Sequence, residues 1–154
     1  MSDHAPPPLL EGALALDHVA IAVPDLESAL PFWRDQLGAT VLGTEEVPSQ
    51  MVRVAFLSTG MAKTELLEPT SPESPIAKFL NQGRRGLHHV AYRVENIEEI
   101  LTKLKRAGSR MIQESSVPGS RGTKVAFLHP STAGGVLVEL VEYTTQTDDQ
   151  KGTR

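Results

Sequence analysis

The sequence predicts an α+β fold in which two tandem βαβββ modules share one curved sheet, and three observations predict it. Leu87-His88-His89-Val90-Ala91 repeats Leu16-Asp17-His18-Val19-Ala20 at an offset of 71 residues, and Val125-Ala126-Phe127-Leu128 repeats Val54-Ala55-Phe56-Leu57 at the same offset. Glu139-Leu140-Val141-Glu142 then echoes Glu65-Leu66-Leu67-Glu68 three residues further along. Within each copy, short β-branched runs surround a single stretch with helical spacing. The chain is a duplication whose halves each carry a histidine early and a glutamate late.

Residues 1–15 open with three consecutive prolines, Pro6 to Pro8, whose fixed φ and missing N–H groups resist helix and central strand. They read as a disordered tail. Residues 16–23 form the first strand, on which Val19, Ile21 and Val23 share one face and His18, Ala20 and Ala22 the other. Large residues suit a helix-covered face, while the small ones leave room around the histidine. Asp25 is placed to cap a helix reaching about Leu37, with Leu26, Leu30 and Trp33 or Leu37 inward, Pro31 distorting it and Gly38 stopping it. Strands follow at 40–43, 51–58 and 63–68, with a loop at 45–50 and a turn at Thr59-Gly60.

A linker spans 69–86, broken by Pro72 and Pro75 before a helical piece at 76–81 and a Gly83-Arg84-Arg85-Gly86 turn. The second module repeats the order: a strand at 87–94, an Asn96-capped helix at 97–107 ending at Gly108, and strands near 110–113, 123–128 and 136–142. Ile97, Ile100, Leu101 and Leu104 mark its buried stripe. The domain therefore runs 16–142 as two repeats, 16–68 and 87–142, and the polar residues 143–154 read as a flexible tail.

Composition narrows the function. The net charge of −4 excludes a surface built to neutralise phosphates, so no nucleic-acid partner is expected. No apolar run approaches the ~20 residues of a membrane helix, and the N-terminus lacks a basic segment followed by an apolar one. No membrane partner and a cytoplasmic location are expected. With no cysteine, disulfides, thiolate ligands and cysteine nucleophiles are excluded, and any metal must be held by nitrogen and oxygen. Phosphate loops, dinucleotide-binding glycine motifs, nucleophile elbows and His-Glu-x-x-His helices are all missing.

One histidine or glutamate in a strand is most often a hydrogen-bonded structural residue. The duplication alters that reading, because a pseudo-two-fold sets equivalent positions opposite each other. His18 then faces His89 and Glu65 faces Glu139, and strand alternation lets all four point into the concave side. Two imidazoles and two carboxylates make a site for a divalent ion with positions left for water or substrate, suited to cobalt, nickel, manganese, iron or zinc. His88 should face away as a packed or outer residue, Asp17 likewise as a residue of the strand start, and His129 reads as a loop residue. His4 lies in the tail. Glu68 and Glu142 read as surface or strand-end charges, and Lys63, Arg53, Arg93, Arg121 and Lys124 as solvated groups of which some line a groove for an anion. Gly119-Ser120-Arg121-Gly122 reads as a hairpin loop and a candidate lid.

With His, Glu, His and Glu at these places of paired βαβββ units, the sequence resembles the vicinal oxygen chelate superfamily of glyoxalase-like proteins. Asp17 to Leu26, Lys63 to Pro69, the Ser74-Pro75-Ile76-Ala77 segment, Gly86 to Ala91 and the run from Lys124 through Gly134-Gly135-Val136 to Leu140 are similar to its methylmalonyl-CoA epimerase branch. The resemblance implies a metal-dependent isomerase of propionate metabolism acting on an acyl-CoA, interconverting R and S forms at C2 through a metal-stabilised enolate. It implies His18, Glu65, His89 and Glu139 as metal ligands, Glu139 and Glu65 as acid/base groups, cobalt first among the ions, and a homodimer. Other enzymes of the superfamily, such as a glyoxalase I-like lyase or an isomerase of a related acyl-CoA, and a non-catalytic binding protein are the competing expectations. Some relatives carry a further glutamate where Val54 stands here. The second acid/base therefore rests with Glu65, a bound water or a carboxylate of the Glu45-Glu46 stretch. Arg121 also stands where a histidine is usual.

Overall fold

A computed structural model describes residues 8–10 and 14–144. Eight strands form one mixed sheet, β1 (Ala15–Ala22), β2 (Thr40–Val47), β3 (Val52–Ser58), β4 (Lys63–Pro69), β5 (Gly86–Arg93), β6 (Val117–Pro118), β7 (Thr123–Leu128) and β8 (Val138–Tyr143). Their order, β2-β3-β4-β1-β5-β8-β7-β6, is the same in each half read outward from the centre. β1 pairs parallel with β4, β5 parallel with β8, and the two modules meet where β1 runs antiparallel to β5. The expected shared sheet is present, with the duplicated histidines on its two central strands.

Each module covers its outer face with the helix that follows its first strand. Helix α1 (Leu26–Pro31) closes over Val23, Leu26, Ala55, Leu57 and Leu66, and Ile21 packs against the same cluster. Burying one such leucine fully contributes about 1.5–3 kcal/mol, so this face is what the large residues of β1 were chosen for. Helix α3 (Ile97–Arg106) buries Ile97, Ile100 and Leu101 against Ala126, Leu128 and Leu140. On the inner face the small residues Ala20 and Ala22 lie beside Val54, Phe56 and Leu67, joined by Ile76 and Phe79 of helix α2 (Pro75–Asn81).

Local signals hold at several places. The Asp25 carboxylate accepts from the Ser28 N–H at 2.9 Å and caps α1. The helix widens into a π-helical turn, Phe32–Gln36, immediately after Pro31, because that residue has no N–H to continue the regular ladder. Gly38 then leaves with φ of 74°. Ser74 caps α2 by accepting from Ile76 N–H.

Other expectations are corrected. The second strand does not end at 43 and no loop begins at Glu45: β2 continues to Val47, with Glu45 opposite Val54 and Glu46 opposite Arg53. A bulge between Val41 and Gly43 shifts its register, and only Pro48–Gln50 remain as a turn. No strand forms at 110–113. Met111 makes a single bridge to Leu128, and the side-chain carbonyl of Gln113 accepts the Phe127 N–H at 2.9 Å, taking the place of a backbone partner. Asn96 does not cap α3. It sits at φ of 53° without a side-chain bond, and the Ile97 N–H donates instead to Glu142 at 3.2 Å.

The domain limits also shift at both ends. Ala15 begins β1 and Leu10 packs on the second module's core, so these two do not belong to a disordered tail; Tyr143 closes β8. The remaining expectations for residues 1–7, 11–13 and 145–154 lie outside the described residues.

Candidate metal centre and active-site cavity

The chemistry converges where the modules meet. His18 comes from β1, Glu65 from β4, His89 from β5 and Glu139 from β8, four adjacent strands at the centre of the sheet. All four side chains are buried. The Nε2 atoms of His18 and His89 face each other at 3.3 Å. Glu139 Oε2 lies 2.7 Å from His89 Nε2 and 3.6 Å from His18 Nε2, and Glu65 Oε2 lies 3.3 Å from His18 Nε2. One donor atom each from His18, His89 and Glu139 fits within 4.8 Å of the others. Of the four residues expected from the sequence, the structure gathers His18, His89 and Glu139 mutually and places Glu65 against His18.

Two phenylalanines frame the carboxylates. Phe56 stands directly opposite Glu65 on β3, and Phe127 directly opposite Glu139 on β7, so the repeat extends to what each glutamate packs beside. Phe127 meets the His89 ring edge-on at 5.2 Å, while the Arg121 guanidinium lies 3.9 Å over Phe56.

Burial and mutual charge set the protonation of the cluster. Burial opposes a charged ring at His18, but Asp17, Glu139 and Glu65 outweigh it and raise the pKa to about 10. Burial pushes Glu65 up to about 7, with the His18 charge opposing and Glu139 reinforcing. At Glu139 burial is overcome by His89 and His18, and the carboxyl is held down at about 2. The donors are two imidazole nitrogens and two carboxylates with no sulfur, gathered in a buried cluster. That set fits a divalent ion of borderline or hard character.

Two residues expected to face away do not. β1 and β5 slip register twice, between Leu16 and His18 and between Ala20 and Ile21, where Ala20 faces His89 and Ile21 faces Leu87. Asp17 and His88 are the extra residues of these two bulges, which break the alternation that turns neighbours to opposite faces. Asp17 Oδ2 therefore lies 3.7 Å from His18 Nδ1, and His88 Nδ1 lies 2.8 Å from His89 Nδ1. His88 also packs on Phe79, and burial followed by the nearby His89 and Arg84 lowers its pKa to about 4.

Glu68 and Glu142, expected as surface or strand-end charges, have structural work. Glu68 accepts the Leu26 N–H at 2.8 Å as Glu142 does that of Ile97, so each module's last strand caps its own helix. His129 accepts from Ser131 N–H at 3.1 Å, in keeping with a loop role.

The centre opens on a cavity of about 580 Å³ whose wall includes His88 and His89 with Met51, Ile76, Ile112 and Phe127. On its other side a narrow chamber joins His18, Glu65 and Glu139 to Lys63, Arg121 and Tyr143. Arg121 is held there at φ of 52° by its N–H, which donates to both oxygens of Glu45 at 3.1 and 3.3 Å. That contact brings a β2 carboxylate to the second module. The sequence placed Glu45 in a loop and gave no signal for its partner.

A mixed eight-stranded sheet built from two repeats, with histidine and glutamate donors at its centre, defines the class. The model of the glyoxalase/bleomycin resistance protein/dioxygenase superfamily matches residues 17–127, and the chain belongs to that superfamily. Within it, the chain is 45% identical over 126 residues to mouse mitochondrial methylmalonyl-CoA epimerase, covering 81% of this chain and 71% of the mouse protein. It is 44% identical over 127 residues to the ethylmalonyl-CoA/methylmalonyl-CoA epimerase of Cereibacter sphaeroides, covering 81% and 95% of the two chains. A solved variant of the Streptomyces coelicolor methylmalonyl-CoA epimerase, in complex with 2-nitronate-propionyl-CoA, superposes with a TM-score of 0.81 at 32% identity, covering 86% and 97%.

Proposed function

We propose that this chain is a metal-dependent epimerase that interconverts the R and S forms of methylmalonyl-CoA by removing and returning the C2 proton. The observation that carries the proposal is the convergence of His18, Glu65, His89 and Glu139 beside an apolar cavity, in a chain closely similar to epimerases of that substrate. His18, Glu65, His89 and Glu139 would hold a divalent ion, with cobalt first among the candidates. When bound, that ion supplies Lewis-acid stabilisation of charge developing on the substrate's oxygens.

The protein's own groups do the rest. The apolar wall of the cavity, with Met51, Ile76, Ile112 and Phe127, would keep water from a C2 centre seated there and so preserve the strength of the charges around it. Epimerisation needs one group to take the proton from one side and another to return it on the other. Glu139 is the carboxylate for one side. Glu65 is assigned to the other, as the equivalent carboxylate of the first module, 3.3 Å from His18 Nε2. Glu45 is a further carboxylate, bound to the N–H of Arg121, which lines the chamber. Replacing each by glutamine separates them. Glu65→Gln should reduce both turnover and metal affinity, whereas a loss confined to turnover in Glu45→Gln would transfer the role to Glu45.

The deciding experiment incubates cobalt-loaded protein with one epimer of methylmalonyl-CoA in deuterated water. Deuterium entering C2 together with racemisation is the expected result. No exchange with cobalt, nickel, manganese, zinc or iron removes the proposal, and turnover of the methylglyoxal–glutathione adduct instead would assign the chain to the lyase chemistry of the same superfamily. A homodimer is part of the proposal, read by light scattering in solution.

A further inference from the structure

The two histidines of the centre are backed by different groups. Asp17 and His88 are equivalent positions of the repeat, each the residue before a proposed ligand and each carried out of alternation by a bulge. Behind His89 lies a second imidazole, with His88 Nδ1 at 2.8 Å from His89 Nδ1. Behind His18 lies a carboxylate, with Asp17 Oδ2 at 3.7 Å from His18 Nδ1, a charge contact rather than a hydrogen bond.

That carboxylate is fixed by a chain of polar groups drawn from both modules. Asp17 is only 4% exposed at its side chain, and the Tyr143 hydroxyl donates to its two oxygens at 2.6 and 2.7 Å. Lys63 Nζ donates to the Tyr143 hydroxyl at 3.1 Å. The Tyr143 ring in turn carries the Arg93 guanidinium at 4.3 Å. A buried carboxylate is unfavourable unless charge and hydrogen bonds compensate it. Here Lys63 from β4 and Tyr143 from β8 provide that compensation beside the β1–β5 seam.

A metal-binding imidazole needs its second nitrogen to be committed as an N–H, otherwise either nitrogen can carry the lone pair and the ring can turn. We propose that Asp17, held by Tyr143 and Lys63, is a positioning residue that keeps the Nδ1–H of His18 turned outward and its Nε2 lone pair turned into the centre. The role rests on the reading of His18 as a ligand and concerns how tightly and in what geometry the ion is held, not the proton transfer.

The test uses cobalt(II) as the probe. Its dissociation constant is measured by competition with a chromophoric chelator, and its visible spectrum reports the ligand geometry. Asp17→Asn, which keeps the shape and a Tyr143 acceptor, should weaken cobalt binding about 10- to 100-fold and alter the visible bands. Tyr143→Phe should shift both in the same direction by a smaller factor, and it decides the matter if Asp17→Asn does not fold. Glu142→Ala is the structural control, expected to lower thermal stability without changing the dissociation constant. Unchanged affinity and spectrum in folded Asp17→Asn, or an equal loss in Glu142→Ala, overturns the proposal. Failure of the wild-type protein to bind cobalt would remove the metal reading itself, and the positioning role with it.

Discussion

If the centre holds a divalent ion as proposed, protons compete with it for the same atoms, and the charges of the cluster set the size of the competition. In the metal-free protein His18 titrates at about 10 and Glu65 at about 7, while Glu139 at about 2 is ionised throughout the working range. An ion takes the unprotonated nitrogen and the carboxylate oxygens, so loading must expel what they carry. At pH 7 that is about one proton from His18 and about half of one from Glu65, or roughly 1.5 per ion. The sign follows directly: binding that releases protons strengthens as pH rises. Between pH 6 and pH 8 the His18 proton contributes about two decades of affinity and Glu65 about one, a total near 4 kcal/mol at about 1.36 kcal/mol per decade. Calorimetric titration with cobalt in two non-coordinating buffers of different ionisation enthalpy counts the protons. The same titrations across pH give the slope. Glu65→Gln should remove the half proton at pH 7 and leave the one from His18. Proton release well below one per ion, or an affinity flat across this range, would refute the coupling of His18 to its carboxylates on which the site is built.

The same shifts set the stability of the metal-free protein. A raised histidine pKa gives stability that is full below about 6.5 and lost as pH climbs through about 10, and a raised carboxylate pKa gives stability lost from about 4.5 through about 7. His88, lowered to about 4, gives stability gained between about pH 4 and 6.5, which offsets the Glu65 loss there, so the thermal midpoint should fall from about pH 7 towards pH 10, and a midpoint that rises over that range would contradict it. Glu68→Ala removes the acceptor of the Leu26 N–H and should cost about 1–2 kcal/mol in urea unfolding, with Glu142→Ala costing less because its bond is longer. Equal or negligible losses would mean that the helices do not depend on these caps. A β-carbon at Gly119 would meet Thr123 Oγ1 and a Val125 methyl at 2.7 Å each, so Gly119→Ala should destabilise by about 1–3 kcal/mol. An unaltered unfolding midpoint would show that this loop can shift freely.

The centre was legible because it is written twice. His18 and His89 fall at one offset, Glu65 and Glu139 nearly so, and a period of two puts all four on one face before any distance is known. What escaped the period is what breaks it. Asp17 and His88 were assigned to the far face because a bulge inserts a residue without changing composition, and neither position holds the glycine that often marks one. The carboxylates of Glu68 and Glu142 look like strand-end charges because the N–H groups they accept lie 42 and 45 residues away in sequence. Glu45 and Glu46 look like a loop because an edge strand can present polar residues to solvent on one side, and pairing with β3 overrides their low strand propensity. The missing strand at 110–113 is the converse: backbone bonds of Arg110 and Ile112 reach His129 and Phe127, but the Gln113 side chain takes the Phe127 N–H and the ladder goes no further.

The antiparallel seam between β1 and β5 has a consequence for symmetry itself. A dimer of two identical single modules would place the same residue behind both histidines, whichever residue that was. Because both modules lie on one chain, the positions can differ, and here they do, with an acid at 17 and an imidazole at 88. The pseudo-two-fold thus assembles a centre from equivalent donors while giving it distinguishable ends. A substrate whose two epimers must both be accepted would meet a site whose two sides are not alike.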